Sequence, residues 1–188
     1  MRVISGRAKH MPLKTIEGDA TRPTTDRIKE TLFNMLQHEI YGCRFLDLFA
    51  GSGGIGIEAL SRGAKAVFFV EHNPKAVACI RENLAFTHLE DGARVITGDV
   101  FAVLAKLEGE EAFDIIFMDP PYHLLAERKV LEKLAESSCI SEDTLIVTEA
   151  SIKTKFDYLQ ELGFEIIKYK KYKTNAHVFI KKVGAENV

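Results

Sequence analysis

From Cys43 onward, short apolar runs alternate along the chain with segments whose apolar residues recur at helical spacing. The runs predict β-strands, and the segments between them predict helices. This alternation is typical of repeated βα units, in which crossover helices join parallel strands. The sequence therefore predicts an α/β fold with a doubly wound, mainly parallel sheet. The predicted strands are Arg44–Phe49, Ala66–Glu71, Arg94–Thr97, Asp114–Met118 and Leu145–Thr148, and the predicted helices are Ile55–Ser61, Pro74–Phe86, Phe101–Leu107, Ala126–Ser137 and Phe156–Leu162.

The two ends of the chain depart from this alternation. Phe164–Tyr172 and Ala176–Lys182 are β-rich runs with a short connection, so they predict an antiparallel hairpin that ends a seven-stranded sheet. Near the start, Arg2–Ile4 and Leu13–Ile16 predict a small hairpin, and Thr25–Ile40 predicts an amphipathic helix. The predicted organisation is an N-terminal hairpin-and-helix appendage, a main domain and a tail, over residues 1–40, 41–183 and 184–188.

Composition favours one globular domain. Of the 188 residues, 46% are hydrophobic and 28% charged, which excludes a disordered or collagen-like chain. The apolar stretches are far shorter than the ~20 residues that cross a bilayer, and the first residues contain no signal-peptide core. Three widely spaced cysteines without a CxxC motif predict buried, reduced thiols rather than disulfides or a zinc site. We therefore expect a cytoplasmic protein with no metal and no membrane partner.

The net charge of −2 hides an uneven distribution along the chain. Residues 1–45 carry 8 basic and 5 acidic side chains, and residues 150–188 carry 8 and 4. The middle segment, residues 46–149, carries 9 basic and 18 acidic side chains. Basic ends around an acidic centre permit a polyanionic partner, and ordinary solvated faces explain the same counts equally well.

A glycine-rich segment joins the first predicted strand to its helix. Gly51, Gly53 and Gly56 have the GxGxxG spacing, which lets the backbone turn tightly and approach a ligand at a helix N-terminus. Glu71 ends the second predicted strand, where a carboxylate can accept both ribose hydroxyls of an adenosine-type cofactor. Asp47 precedes the loop, and its charge suits a cation such as the ammonium of S-adenosylmethionine better than a pyrophosphate. For the glycines alone, a nicotinamide or flavin fold and a structural turn are the alternatives.

Asp99 follows the third predicted strand and lies at the same predicted edge of the sheet. A carboxylate there can accept a hydrogen bond from the amino group of an adenine. The same side chain in the same place can instead cap the helix that follows, and the sequence does not separate the two roles.

The tetrapeptide Asp119-Pro120-Pro121-Tyr122 follows the fourth predicted strand, which lies beside the first strand in a doubly wound sheet. Proline has no N–H, so the carbonyls around the two prolines can point into a cleft, where Asp119 adds an acceptor-only carboxylate. Two acceptors and the flat ring of Tyr122 suit a planar base with an exocyclic amine. Acceptors that hold both amine hydrogens localise the nitrogen lone pair for attack on a sulfonium methyl. A strand-terminating turn is the alternative.

These motifs resemble those of class I S-adenosylmethionine-dependent methyltransferases of the amino-methylating branch, in which (D/N)PP(Y/F) follows the fourth strand. Thr21–Arg27 and Lys29–Asn34 resemble the segment before the glycine loop in the RsmD-type family, and the resemblance covers almost the whole chain. It implies a Rossmann-like fold, S-adenosyl-L-methionine as cofactor, and methyl transfer to the exocyclic N2 amine of a specific guanine in 16S ribosomal RNA. The implied partner is ribosomal RNA or an assembling small ribosomal subunit.

The resemblance also implies roles for the N-terminal segment. In the family the Arg-Pro-Thr segment lies over the cofactor and substrate pocket, which gives roles to Arg22, Pro23, Thr24 and Arg27. A capped helix start with two solvated arginines is the alternative. Where the family usually shows Gly-Arg in the N-terminal hairpin, this chain has His10-Met11, so the basic candidates there are Arg2, Arg7 and Lys9.

The predicted site residues fall into three groups. The catalytic group is Asp119, Pro120, Pro121 and Tyr122. The predicted RNA contacts are Arg2, Arg7, Lys9, Arg22 and Arg27. The predicted cofactor contacts are Thr24, Asp47, Phe49, Ala50, Gly51, Ser52, Gly53, Gly56, Glu71, His72, Asn73, Asp99, Val100 and Asp119.

Other functions stay open at this level. A DNA adenine-N6 methyltransferase shares the tetrapeptide, but 188 residues leave no room for a separate target-recognition domain. Protein amide methylation usually shows Asn in place of Asp119, and a binding module would keep the fold without catalysis. The run Lys168–Lys173 interleaves lysines with aromatics, which is typical of a nucleic-acid surface or of an edge strand protected against aggregation. We expect the protein to be a monomer.

Overall fold

A single mixed sheet organises the chain, and the computed structural model describes it through residues 1–16, 26–121 and 126–184. Its strands are short runs of β-branched and aromatic residues, which pack well on a pleated surface. In the described residues they are β1 (Arg44–Asp47), β2 (Ala66–Glu71), β3 (Ala93–Thr97), β4 (Ile115–Met118), β5 (Leu145–Ser151), β6 (Phe164–Lys171) and β7 (Asn175–Lys182).

The strand order is β3-β2-β1-β4-β5-β7-β6. The first five strands are parallel, β7 runs antiparallel to β5, and β6 runs antiparallel to β7. The order reverses between β1 and β4, which creates a cleft at their carboxyl ends, the usual ligand position in such sheets. The predicted doubly wound, mainly parallel seven-stranded sheet with a terminal antiparallel hairpin is therefore confirmed.

Helices cover both faces of the sheet and enclose two hydrophobic cores. One core packs against α1 and α2, and the other packs against α4 and α5. No helix in the described residues is long and apolar enough to span a membrane. The three cysteines are buried and unbridged, as their spacing predicts. The helices are α1 (Asp26–Met35), α2 (Gly54–Ser61), α3 (Pro74–Thr87), α4 (Val100–Lys106) and α5 (Ala126–Ala135), with 3₁₀ turns at Glu90–Gly92 and Gln160–Leu162.

The predicted helix over Phe156–Leu162 is wrong. Turns and the 3₁₀ turn occupy this stretch, which ends at Gly163 with a φ of 72°. Tyr158 and Leu159 are nevertheless buried in the second core. Its backbone N–H groups at Leu159, Leu162 and Gly163 donate to the carbonyls three residues earlier, so tight turns bury its apolar side chains instead of an α-helix.

Other boundaries shift because neighbouring elements decide them. β5 extends to Ser151 because β7 pairs with it as far as Asn175. α1 ends at Met35 rather than Ile40, and Ile40 is buried through a turn. The start of the predicted helix at Thr25 lies outside the described residues. The predicted N-terminal hairpin is reduced to a single antiparallel bridge between Arg2 and Pro12.

The N-terminal segment is held to the main fold by the buried carboxylate of Glu58 on α2. This group accepts hydrogen bonds from the backbone N–H groups of Ile4 at 2.8 Å and Ser5 at 3.0 Å. It also pairs with Lys29 of α1 at 3.3 Å and with Arg62 at 2.7 Å. Burial lowers the pKa of Lys29, whose ammonium additionally donates to the carbonyl of Arg2. Glu58 thus joins the first residues, α1 and α2 in one network.

Replacement of Glu58 by glutamine should destabilise the protein by about 3 kcal/mol, because it leaves the buried ammonium of Lys29 without its counter-charge. Urea denaturation measures the change in the free energy of unfolding. Glu142→Gln, at an exposed position, serves as the control and should change it by less than about 0.5 kcal/mol. Equal stabilities of the two variants would show that Glu58 does not hold this network.

Candidate functional site

Four carboxylates gather at one edge of the sheet. Asp47 ends β1 and Glu71 ends β2, while Asp119 directly follows β4. Glu149 lies in β5, one residue beyond Thr148, which pairs with the last residue of β4. Because parallel strands end at a common edge, these side chains meet in the cleft created by the reversal of strand order. The sequence predicts three of them, and Glu149 is an addition from the structure.

The glycine loop closes one side of this cleft. Gly51 and Gly53 have φ values of 54° and 84°, which residues with a side chain rarely adopt. The position of a Cβ on Gly51 has no atom within 4 Å, so open space lies beside the loop. A Cβ on Gly56 would instead lie 2.2 Å from the ring of Phe69 on β2. Gly56 therefore lets α2 pack closely against the sheet, and its predicted contact with a cofactor stays a prediction.

Glu71 anchors the loop to the second strand. Its Oε2 accepts a hydrogen bond from the backbone N–H of Gly51 at 2.9 Å. Its Oε1 accepts one from the backbone N–H of Asn73 at 2.8 Å and lies 3.2 Å from Nδ1 of the exposed His72. A carboxylate offers about four lone-pair positions, so Glu71 keeps acceptor capacity for a ligand hydroxyl.

Asp47 is 1% exposed and accepts a hydrogen bond from the backbone N–H of Gly56 at 3.1 Å. Burial raises the pKa of Asp47 to about 7, the backbone hydrogen bond opposes the rise, and the negative charge of Glu71 adds to it. A buried carboxyl with a raised pKa is stabilised in its ionised form by a nearby positive charge. Asp47 is thus suited to receive a cation.

Asp119 has the same electrostatic character. Burial raises its pKa to about 8, and the negative charges of Glu149 and Asp47 contribute. Within the described residues neither Asp47 nor Asp119 forms an ion pair with a basic side chain. Pro120 is buried and Pro121 exposed, so the chain leaves the strand end at the rim of the cleft. The described part of the protein therefore supplies no counter-charge to Asp47 or Asp119.

The remaining predicted cofactor residues surround this edge. Phe49, Ala50 and Ser52 form the loop itself, and the side-chain amide of Asn83 on α3 donates to the carbonyl of Ser52 at 3.0 Å. Asn73 caps α3 by accepting from the backbone N–H of Lys75. The contact with Asn83 fixes the loop to α3, in addition to the hydrogen bond that joins Gly51 to Glu71 of β2.

Asp99 caps α4 through hydrogen bonds from the backbone N–H groups of Phe101 and Ala102, both to Oδ1. Val100, the first residue of α4, is buried. Asp99 therefore has the capping role, and its contact with an adenine amino group stays a prediction. Arg22, Pro23, Thr24 and Tyr122, which the sequence assigns to the site, lie outside the described residues.

The predicted RNA contacts in the described residues do not form one cluster. Arg2 pairs with Asp26 at the start of α1 at 2.8 Å, and Arg27 is exposed in the same turn. Arg7 donates its backbone N–H to the carbonyl of Ser61, the last residue of α2, and the exposed Lys9 follows it. Because α2 begins at the glycine loop, its last residue lies toward the amino ends of the parallel strands, away from the cleft. For all of these basic residues, contact with RNA stays a prediction.

Glu149 belongs to a buried polar network that the sequence analysis missed. It accepts hydrogen bonds from the side-chain amide of Asn175 and, at 3.3 Å, from Nε2 of His177. The tautomer with its proton on Nε2 leaves Nδ1 of His177 to accept from the hydroxyl of Tyr172 at 3.1 Å. Burial raises the pKa of Tyr172 to about 12, and the negative charge of Glu149 contributes, so the hydroxyl stays a donor. The sequence signal that could have found Glu149 itself is its position directly after the predicted strand Leu145–Thr148, beside Asp119.

Substitution of Glu149 by glutamine should lower the pKa of Asp119 below its value of about 8, because one neighbouring negative charge is removed. Carbon-13 NMR titration of the aspartate carboxyl groups measures this pKa, and Asp119→Asn identifies the resonance. Glu165→Gln, on the exposed strand β6, should leave the pKa unchanged. An unaltered pKa in the Glu149 variant would exclude electrostatic contact between Glu149 and Asp119.

Comparisons with known proteins place these features in a family. Residues 1–181 match the family model described as conserved hypothetical protein 95. The chain is 45% identical to YlbH of Bacillus subtilis, named as a presumed rRNA methyltransferase, over 79% of this chain and 82% of that protein. It is 35% identical to ribosomal RNA small subunit methyltransferase D of Haemophilus influenzae, over 79% and 78%.

A solved structure agrees over nearly the whole chain. The protein yhhF from Escherichia coli, described as a presumed methyltransferase, superimposes with a TM-score of 0.83 at 28% sequence identity. The match covers 97% of this chain and 97% of that one. The described fold, including the terminal hairpin, therefore falls within a common architecture.

Proposed function

Because this chain belongs to the family described as conserved hypothetical protein 95, the RsmD-type family that its motifs indicate, we propose that it methylates small-subunit ribosomal RNA. The methyl donor is S-adenosylmethionine, and the acceptor is the exocyclic N2 amine of a guanine. The observation that carries the proposal is the juxtaposition of Asp119, at the end of β4, with Asp47 and the glycine loop at the end of β1. The names of the relatives support the RNA substrate, and the chemistry of the acceptor residues supports the amine.

The described residues fit this cofactor. Asp47 is buried and Asp119 is half-buried, both carboxyls have raised pKa values, and a cation is the ligand that stabilises their ionised forms. Glu71 has acceptor capacity for ribose hydroxyls, and the space beside Gly51 is open to a ligand. The proposed holders are therefore Asp47 for the ammonium, Glu71 for the ribose, and Gly51 with its neighbours for close backbone approach. When bound, S-adenosylmethionine supplies an electrophilic methyl group on a sulfonium.

In the proposed reaction the protein orients the amine rather than deprotonating it first. Asp119 accepts one hydrogen of the exocyclic amine, and a carbonyl of the proline pair accepts the other. This arrangement draws both hydrogens away from the ring plane and localises the lone pair on nitrogen. The carboxylate of Asp119 takes up the extra proton after the methyl group arrives, a step that its raised pKa favours.

Methyl transfer to defined acceptors tests the proposal. The purified protein is incubated with methyl-labelled S-adenosylmethionine and, separately, with under-methylated small ribosomal subunits, the RNA extracted from them, and unmethylated DNA. We expect label in at least one ribosomal sample and none in DNA. Heat-inactivated protein is the control for chemical methylation.

The alternatives give different results in the same assay. Label only in DNA would replace the proposal with DNA methylation, and label in no acceptor would refute the ribosomal substrate. Titration with NAD provides a second control, because a nicotinamide-binding fold would bind NAD and the proposed one would bind only S-adenosylmethionine.

A further inference from the structure

Strand β6 is the last strand of the sheet order and carries a row of exposed lysines. Lys168, Lys170 and Lys171 are exposed along it, and Lys173 is exposed in the turn that follows. None of the ion pairs within the described residues involves these four ammonium groups. Protection of the edge strand β6 against aggregation would explain the presence of lysines on it. It would not explain why two of them lie on the same face of the sheet as the cleft.

Strand register places two of these lysines on the same face of the sheet as the cleft. Lys170 is paired with His177 of β7, and His177 is paired with Glu149 of β5. Side chains at paired positions point to the same face, and so do those of Lys168 and Lys170, two residues apart. Asp119, the residue after β4, lies next to Glu149, because Met118 and Thr148, the residues before them, are paired. One transverse row therefore runs from Lys170 through His177 and Glu149 to Asp119.

The row is long enough for a bound polymer to contact Lys170 while one of its units reaches the cleft. It spans three strand spacings of about 4.8 Å, so Lys170 lies about 15 Å from Asp119 along the sheet. Lys173 and Thr174 are at the same edge as the cleft, because the backbone N–H of Ile152, just beyond β5, donates to the carbonyl of Thr174. The exposed Lys153 follows Ile152. These groups extend the positive charge from the sheet edge to the cleft.

We propose that Lys153, Lys168, Lys170 and Lys173, here called the lysine strip, bind the phosphate backbone of the RNA beside the nucleotide that enters the cleft. The inference rests on the proposed function and adds the surface that holds the substrate. Charge complementarity supports an RNA occupant, because the strip is basic and leads to a site that accepts a nucleic-acid base. Phosphate contacts fix the position and register of a nucleic acid without reading its sequence.

Salt-dependent RNA binding tests the strip without relying on catalysis. The double variant Lys168→Gln with Lys170→Gln removes two charges from the strip and keeps polar side chains on the edge strand. We expect its dissociation constant for extracted small-subunit RNA to rise on the order of tenfold at 0.1 M salt. The slope of log affinity against log salt should fall by about 1.4, at about 0.7 for each lost contact. At saturating RNA, kcat should not change.

Matched variants separate charge from folding. The double variant Lys65→Gln with Lys106→Gln removes two exposed charges away from the cleft, one just before β2 and one at the end of α4. It should bind RNA as the unmodified protein does. Lys168→Arg with Lys170→Arg keeps the charge and should also retain affinity. A salt slope and affinity that do not change in the strip variant, while RNA methylation proceeds, would refute the strip and leave the proposed function intact.

Two further outcomes are decisive. Weaker binding to assembled small subunits with unchanged binding to extracted RNA would assign the strip to a ribosomal protein and overturn the RNA contact. If the unmodified protein neither methylates nor binds ribosomal RNA, the proposed function fails together with the strip.

Discussion

Asp119→Ala is expected to lower kcat for methyl transfer by about 100- to 1,000-fold, the usual effect of removing one preorganised hydrogen-bonding group from an active site. Asp119 is proposed to hold the amine that attacks, and its half-buried carboxyl lies near Asp47 at the cleft. Its removal therefore acts on the substrate side. The affinity for S-adenosylmethionine should change by less than about threefold, which isothermal titration calorimetry measures separately from the rate.

Two matched variants sharpen this result. Asp119→Asn keeps one acceptor oxygen but cannot take up the proton, so kcat should lie between those of the alanine variant and the unmodified protein. Asp143→Ala removes an exposed carboxylate just before β5, at the end of that strand away from the cleft. It should change neither kcat nor the dissociation constant of S-adenosylmethionine. Equal losses of kcat and cofactor affinity in the alanine variant would show that Asp119 binds the cofactor rather than the amine.

Glu71→Ala is expected to weaken the binding of S-adenosylmethionine and to leave kcat nearly unchanged, the opposite of the Asp119 result. Loss of two hydrogen bonds to a charged acceptor, each of about 1.5 kcal/mol, raises the dissociation constant of S-adenosylmethionine by roughly 100-fold. At saturating cofactor kcat should stay within about threefold of its original value, because Glu71 makes no proposed contact with the reacting amine. Calorimetry and initial rates at several cofactor concentrations supply the two numbers.

The structure adds a second reason for the effect of this substitution. Glu71 also accepts hydrogen bonds from the backbone N–H groups of Gly51 and Asn73, so its loss loosens the glycine loop. Glu71→Gln, which keeps one carbonyl oxygen, should raise the dissociation constant less than alanine does. Glu90→Ala, on an exposed 3₁₀ turn, is the control. A cofactor affinity that does not change in Glu71→Ala would exclude the ribose role.

Much of the fold was predictable because its signals are local. β2 was predicted at its exact bounds, since the β-branched and aromatic residues between Lys65 and His72 favour a buried strand. The helix over Phe156–Leu162 was predicted wrongly because periodicity shows only which side chains are apolar, and here tight turns with hydrogen bonds between residues three apart bury the same side chains. β5 exceeded its predicted length because its partner β7 comes more than twenty residues later.

The site residues likewise include some that local sequence predicts and some that it does not. Asp47, Glu71 and Asp119 each stand at the end of a strand, so the topology of a parallel sheet brings them to one edge. The network of Glu149, His177 and Tyr172 was not predictable, because it depends on β7 lying between β5 and β6. Long-range strand order of this kind leaves no pattern in the local sequence.

The carboxyls of Asp47 and Asp119 and the lysine strip give the molecule neighbouring places for ligands of opposite charge. The cleft carries the carboxyls of Asp47 and Asp119, whose pKa values are raised, whereas Lys168 and Lys170 lie on the same face of the sheet beside it. A cationic cofactor and an anionic polymer would thus each meet complementary charge. This separation is consistent with a methyl donor and an RNA acceptor meeting at Asp119.

The most direct test of the central claim is the chemical identity of the methylated nucleoside. Small-subunit RNA labelled by the purified protein is digested to nucleosides and separated by chromatography coupled to mass spectrometry. The proposed role of Asp119 as acceptor for an exocyclic guanine amine predicts label in N2-methylguanosine, formed about 100- to 1,000-fold more slowly when Asp119→Ala replaces the unmodified protein. Label at a ring nitrogen, a ring carbon or a ribose hydroxyl would contradict it, because none of those acceptors has an exocyclic amine for Asp119 to hold.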